Sequence, residues 1–160
     1  MKEKPKLHAL PNAADVTAHE LYNEMEIDVM ARTIWGEARG EGLQGMQAVA
    51  MVILNRAAIA KKFGSYWWGD TILQVCHKPY QFSCWNKADP NYQKLLSIGE
   101  SDPHFKTAMR TARRAMLGFI KDETRGATHY QSRHVAPDWG RGKTPSAVIG
   151  RHIFYRLIEG

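Results

Sequence analysis

Glu37 is the first side chain in this sequence whose type and setting suit chemistry. It stands in Trp35-Gly36-Glu37-Ala38-Arg39-Gly40-Glu41-Gly42, between two stretches whose apolar residues recur at helical spacing. A carboxyl in such a corner, shielded by Trp35 and the following helix, loses hydration. Its pKa then rises toward that of a working general acid. Glu41, one helical turn further on, is a possible second carboxylate. The same pair also reads as two solvated charges flanking a helix break, because carboxylates are seldom buried without a special reason. Residue types alone leave both readings open.

Other reactive types are less well arranged. Cys76-His77 with Cys84 suggests zinc, but the spacing is looser than in paired-ligand sites and a fourth ligand is not evident. No metal and no cofactor are therefore assigned. Two cysteines also make no framework of bridges. His129, His134 and His152 fall in the last third without a Ser or Cys nucleophile motif, so they read as hydrogen-bonded structural residues rather than a triad.

The elements that must position Glu37 follow from periodicity. Ile27, Met30, Ala31 and Ile34 form one helical stripe, after a short capped helix starting near Asp15 or Thr17 and running through Met25. Leu43, Met46, Val49, Ala50, Ile53 and Leu54 form a second, in a helix expected from Leu43 to Ala60 that stops at Gly64. Gly36, Gly40 and Gly42 are read as the break between them. Residues 63 to 87 are irregular and aromatic, with Tyr66, Trp67, Trp68, Tyr80, Phe82 and Trp85, and a helical turn or more between Asp70 and Val75. Such loops line sugar sites or form small cores, and each aromatic taken singly reads as core. A short helix is expected from Pro90 to Ile98, and a longer one opens with Pro103 at its first turn. Its apolar stripe runs from Phe105 to Phe119 and Ile120. Ala127–Gln131 reads as a strand, and Val148–Tyr155 as one returning strand that pairs with it antiparallel.

The sequence Ala31-Arg32-Thr33-Ile34-Trp35-Gly36-Glu37-Ala38-Arg39-Gly40-Glu41-Gly42, then Gln47-Ala48-Val49-Ala50 and Val52-Ile53-Leu54-Asn55-Arg56, resembles the signature of the SleB-type cell-wall hydrolases. That family includes spore-cortex-lytic enzymes and related lysins. Three later pieces match in order: Gln81-Phe82-Ser83, Gly126-Ala127-Thr128-His129-Tyr130, and Ile149-Gly150-Arg151-His152-Ile153-Phe154-Tyr155. The resemblance implies an α+β, mainly α, lysozyme-like fold with a small antiparallel β wall beside a cleft. It implies cleavage of the glycan strand of peptidoglycan between N-acetylmuramic acid and N-acetylglucosamine, with Glu37 as catalytic acid. Gln81, Ser83, Thr128, His129, Tyr130 and Tyr155 then become candidate substrate-binding residues. Where the family commonly continues after His-Tyr with another aromatic and Asn, this chain has Gln131 and Ser132.

Most glycosidases need two carboxyl groups, and here no clear partner to Glu37 emerges; Asp70 and Asp138 sit in loops without motif support. One acid suffices in lytic transglycosylases, where the 6-hydroxyl of the muramoyl unit itself attacks the anomeric carbon. The leading expectation is therefore lytic transglycosylation with an anhydro-muramoyl product. A hydrolytic muramidase, helped by Glu41 or a loop Asp, is the rival enzyme. A wall-binding or virion structural protein without activity is the rival of another class.

Bulk properties agree with this frame. The 160 residues suit one domain: a basic flexible arm at 1–14, then a catalytic domain at 15–160. Apolar residues make up 44% and charged residues 24%, which argues against wholesale disorder. The formal charge of +6 favours polyanionic partners. No nucleic-acid-binding motif accompanies it, so peptidoglycan is the expected partner and the protein is expected to be a monomer. No run reads as long enough to span a bilayer, and no secretory signal is recognised at the N-terminus. The expectation is synthesis in a bacterial cytoplasm and action on the wall, after release through a membrane hole or delivery in a virion.

Overall fold

The computed structural model describes residues 17–134 and 138–158. The expected arm at 1–14 lies outside them. Five helices come first: α1 (Ala18–Ala38), α2 (Gly42–Phe63), α3 (Ile72–His77), α4 (Tyr92–Ser97) and α5 (Pro103–Met116). Three short strands close the chain: β1 (His129–Ser132), β2 (Ala147–Ile149) and β3 (His152–Tyr155). A 3-10 turn at Ser83–Trp85 follows α3, and another at Asp138–Gly140 follows β1.

α1 is one uninterrupted helix that joins the capped N-terminal segment to the stripe of Ile27 to Ile34. Thr17 and Glu20 form a reciprocal capping box at its start, satisfying two backbone N–H groups that a helix end leaves open. It also runs past Gly36, so the turn to α2 is confined to Arg39–Glu41. Glu37 thus sits in the last turn of a regular helix, at the mouth of the angle with α2. Gly36 serves a different end: a Cβ there would lie 2.5 Å from Cys84 Cβ, so the 3-10 turn packs directly on α1.

Met30, Ile34, Trp35, Val49, Ile53, Trp68, Val75 and Phe105 are buried in the main core, formed by α1, α2, α3 and α5. α4 is tied on by Arg32, which pairs with Asp28 at 2.8 Å and donates to the carbonyls of Leu95 and Ile98. α2 has a second buried side. Ala48 and Val52 pack with Ala127 and Phe154 beneath the sheet, so α2 backs both the helical core and the β wall. Its 22 residues also reach the length and apolarity of a bilayer-spanning helix, contrary to the expectation that no run would. Burial on both sides within this fold accounts for its apolar character.

Two expected elements end differently. α5 stops at Met116, where Gly118 adopts φ 80° and Phe119 N–H bonds to Arg114 O, a Schellman closure. Phe119 is consequently exposed, not part of the core stripe. The expected single strand from Val148 to Tyr155 is a hairpin. Gly150, at φ 57°, turns the chain after β2, and β3 returns between β2 and β1. Both pairings are antiparallel, with Tyr130 opposite Phe154 and Ile149 opposite His152.

Candidate active site

Glu37 points from the end of α1 into a groove of about 1160 Å³. That exceeds the roughly 300–1,000 Å³ of small-molecule pockets and suits an extended ligand. One wall is the loop Tyr80–Ser83. The other is β1 with Trp139, Lys143 and Thr144, and Arg156–Ile158 complete the lining. Among the described residues lining it, Glu37 is the sole carboxylate.

Burial holds the Glu37 pKa above the ordinary carboxylate value. Its place at the negative end of the α1 dipole acts in the same direction. Donors at Cys84, its backbone N–H and its thiol, and at the Tyr130 hydroxyl act against that rise, and the charge of Asp89 adds to it. The carboxyl is therefore favoured as an acid yet provided with donors for its ionised form, as a group that must both give and take a proton requires. Tyr130 itself stays a phenol, because burial and the Glu37 charge drive its pKa well above the usual value.

Three contacts fix the donors. Thr33 accepts from Trp85 Nε1 at 2.9 Å and so holds the 3-10 turn against α1. Arg56, on α2, donates to Thr128 O at 2.7 Å and reaches Gln81 Oε1 at 3.4 Å, joining the two walls. Its guanidinium lies over the rings of Trp68 and Phe82. Burial lowers its pKa to about 10, which leaves it charged at neutral pH. No salt-bridge partner is found for it among the described residues, and a cation buried that way is costly.

The entry to β1 is set by Asp122, which accepts from Asn55 and from the backbone N–H groups of Thr124 and Gly126. His129 packs against Trp139 at 5.3 Å, and burial with the Arg56 charge lowers its pKa to about 4. His152, also lowered by burial, packs on the Tyr130 ring. Both imidazoles are neutral at physiological pH.

Comparison with known proteins settles the lineage. The sequence model of the cell wall hydrolase family matches residues 40–155. The chain belongs to that family. The match begins three residues after Glu37 and so does not itself include it. The spore cortex-lytic enzyme of Halalkalibacterium halodurans is 32% identical over 136 residues, covering 83% of this chain and 35% of that protein. That of Oceanobacillus iheyensis is 33% identical, covering 83% and 42%. The chain thus spans less than half the length of these curated relatives. The solved catalytic domain of the Bacillus cereus SleB protein superposes with TM-score 0.63 at 28% identity, covering 82% of this chain and 89% of that one. The catalytic domain of the germination-specific lytic transglycosylase SleB from Bacillus anthracis gives 0.62 at 29% identity, covering 91% and 98%. The mainly helical, lysozyme-like fold with a small antiparallel sheet is therefore the fold of this family.

Against that family frame, the candidate residues divide. Glu37, Gln81, Ser83, His129 and Tyr130 all line the groove. Thr128 is wholly buried, bonded to Leu157 through its hydroxyl, 2.8 Å from His129 Nδ1. Tyr155 is nearly buried and accepts from Gln131 Nε2 at 2.9 Å. Neither lines the groove; both sit behind its wall. Glu41 is turned to the hairpin, where it accepts from Arg151 Nε at 3.0 Å and from Arg151 N–H. Cys76 and Cys84 are buried free thiols. Residue types had not marked Arg56, Trp67, Tyr80, Trp139, Lys143 or Arg156 for the groove. Arg56 left a signal, as a charge at i+3 and i+4 from Ile53 and Val52 on an otherwise apolar face, and Trp67 and Tyr80 left one in the aromatic content of their loop.

Proposed function

We propose that this protein cleaves the glycan strand of peptidoglycan by lytic transglycosylation, with Glu37 as both acid and base. The observation that carries the reading is a lone carboxyl, raised in pKa by burial, in a groove long enough for a polysaccharide. The protonated Glu37 gives its proton to the glycosidic oxygen as the bond from the muramoyl anomeric carbon breaks. The 6-hydroxyl of the same sugar bonds to that carbon, and its proton passes to the Glu37 carboxylate. The acid is regenerated, and no water is consumed. Between the two transfers, the Tyr130 hydroxyl and the Cys84 N–H stabilise the carboxylate by hydrogen bonding. In this reading Gln81, Ser83 and His129, which line the groove, bind the sugar, while Thr128 and Tyr155 hold the wall that carries Tyr130.

Hydrolysis is the competing reading. It would draw support from Asp89, whose charge reaches Glu37, although Asp89 does not line the groove. Mass analysis of digested cell wall separates the two. Transglycosylation leaves muramoyl ends lighter by one water than the reducing ends left by hydrolysis. Reducing ends alone would overturn the proposal.

A further inference from the structure

Tyr80 is 88% exposed, more than any other large apolar or aromatic side chain in the described residues, and it lines the groove. Its backbone lies in the left-handed region, at φ 66°. Residues with a Cβ avoid that region, and a glycine would occupy it without strain. The ring therefore gains nothing from burial and stands on backbone that disfavours it. Neither packing nor turn geometry accounts for a tyrosine at this position, and strain retained at the edge of a site points to use there.

Its neighbours in the groove sharpen the point. Trp67 and Trp139 also line it while partly exposed, at 46% and 39%. Trp67 is backed by Trp68 at 5.6 Å, and Trp139 by Tyr155 at 5.5 Å. Among the described residues, no other aromatic ring packs on Tyr80. Among the described residues the ring is thus left open, beside Gln81 in the lining of the groove.

We propose that Tyr80 is a binding platform whose ring receives the apolar C–H face of a hexosamine unit at the groove mouth, away from the bond being cut. This rests on the glycan reading above. A pyranose buries its C–H face on an aromatic π face while its equatorial hydroxyls remain in water. A half-exposed groove therefore suits stacking at this point. The platform tightens substrate binding and leaves the chemical step alone, so its loss raises KM more than it lowers kcat.

The test uses full-length protein carrying Glu37→Gln, so that substrate survives, pelleted with insoluble peptidoglycan and with peptidoglycan stripped of stem peptides by an amidase. Adding Tyr80→Ala or Tyr80→Gly should weaken binding to both substrates about two- to tenfold. Tyr80→Trp should retain it. Tyr80→Gly should melt about 2–4 °C above Tyr80→Ala, because it loses the ring and relieves the backbone together. Binding lost in the more stable glycine variant cannot be laid to unfolding. Unchanged binding in both variants would overturn the proposal, and so would a loss restored by glycine or confined to peptide-bearing material. If the Glu37→Gln protein itself fails to pellet with either substrate, the glycan reading falls and takes this inference with it.

Discussion

At the residue scale, Glu37 ties activity to instability. Its folded pKa is raised, so between the unfolded and folded values the native state holds a proton that the unfolded chain has released. The stabilising effect of that proton is fully present below the unfolded pKa and is lost as pH rises through the folded one. Glu37→Gln should therefore lower turnover by about 10²–10⁴-fold while melting higher than wild type at neutral pH. A melt below wild type would mean that the carboxylate supports the fold instead. The Tyr130 hydroxyl lowers the Glu37 pKa by donating to the ionised form. Tyr130→Phe removes that donor, so the alkaline limb of the kcat/KM profile should move to higher pH as overall activity drops several-fold. A limb shifted downward would contradict the contact. The motif around Glu37 was legible because it is long, and the rise in the Glu37 pKa could be expected from the shielding by Trp35 and α2. The donors that oppose that rise could not, because Cys84 and Tyr130 come from segments 47 and 93 residues away.

At the scale of elements, the site depends on how closely the 3-10 turn approaches α1. Gly36→Ala places a methyl group against Cys84 Cβ and must push that turn outward. We expect a loss of about 1–3 kcal/mol in denaturant unfolding. A disproportionate fall in activity should accompany it, because the Cys84 N–H moves away from Glu37. Asp122→Ala should cost about 1–3 kcal/mol by leaving Asn55 and two backbone N–H groups without their acceptor. Burial works against the Asp122 charge, but the hydrogen bonds from Thr124, Asn55 and Gly126 prevail and hold its pKa below the ordinary value. Its contribution is thus present above the unfolded pKa and disappears as pH falls through the folded one. Acid unfolding of the variant should show a shallower pH dependence than wild type.

The helices were readable because a 3.6-residue period survives without knowledge of partners, as the stripes of α1, α2 and α5 show. Their ends were less so: Gly36 resembled a break but marks close packing, and Gly118 closed α5 unnoticed. The hairpin was missed because Gly150-Arg151 was read as an interruption within one strand, although a glycine-led pair between two apolar stretches is also a two-residue turn signal. Arg56 belongs to the same class of omission. Its position on the core face was visible, but what it bridges, Thr128 O and Gln81, follows only from tertiary structure.

At the scale of the whole molecule, the groove is basic. Arg56, Lys143 and Arg156 line it against the single carboxylate, within a chain of formal charge +6. Binding to an acidic wall polymer should weaken as salt screens those charges. Raising ionic strength from about 0.05 to 0.5 M should slow digestion several-fold through KM. A salt-independent rate would place recognition in stacking and hydrogen bonding alone.

α2 backs both the helical body and the β wall, and the strands it supports are only three and four residues long. Sheets so short do not persist by themselves. Glu37, carried on a core helix, is thus held more firmly than the short strands it faces. Amide exchange should be fastest along His129–Ser132 and slowest along Val49–Ile53. Under mild stress the molecule would fall silent by letting go of one bank of its channel, long before it unravels.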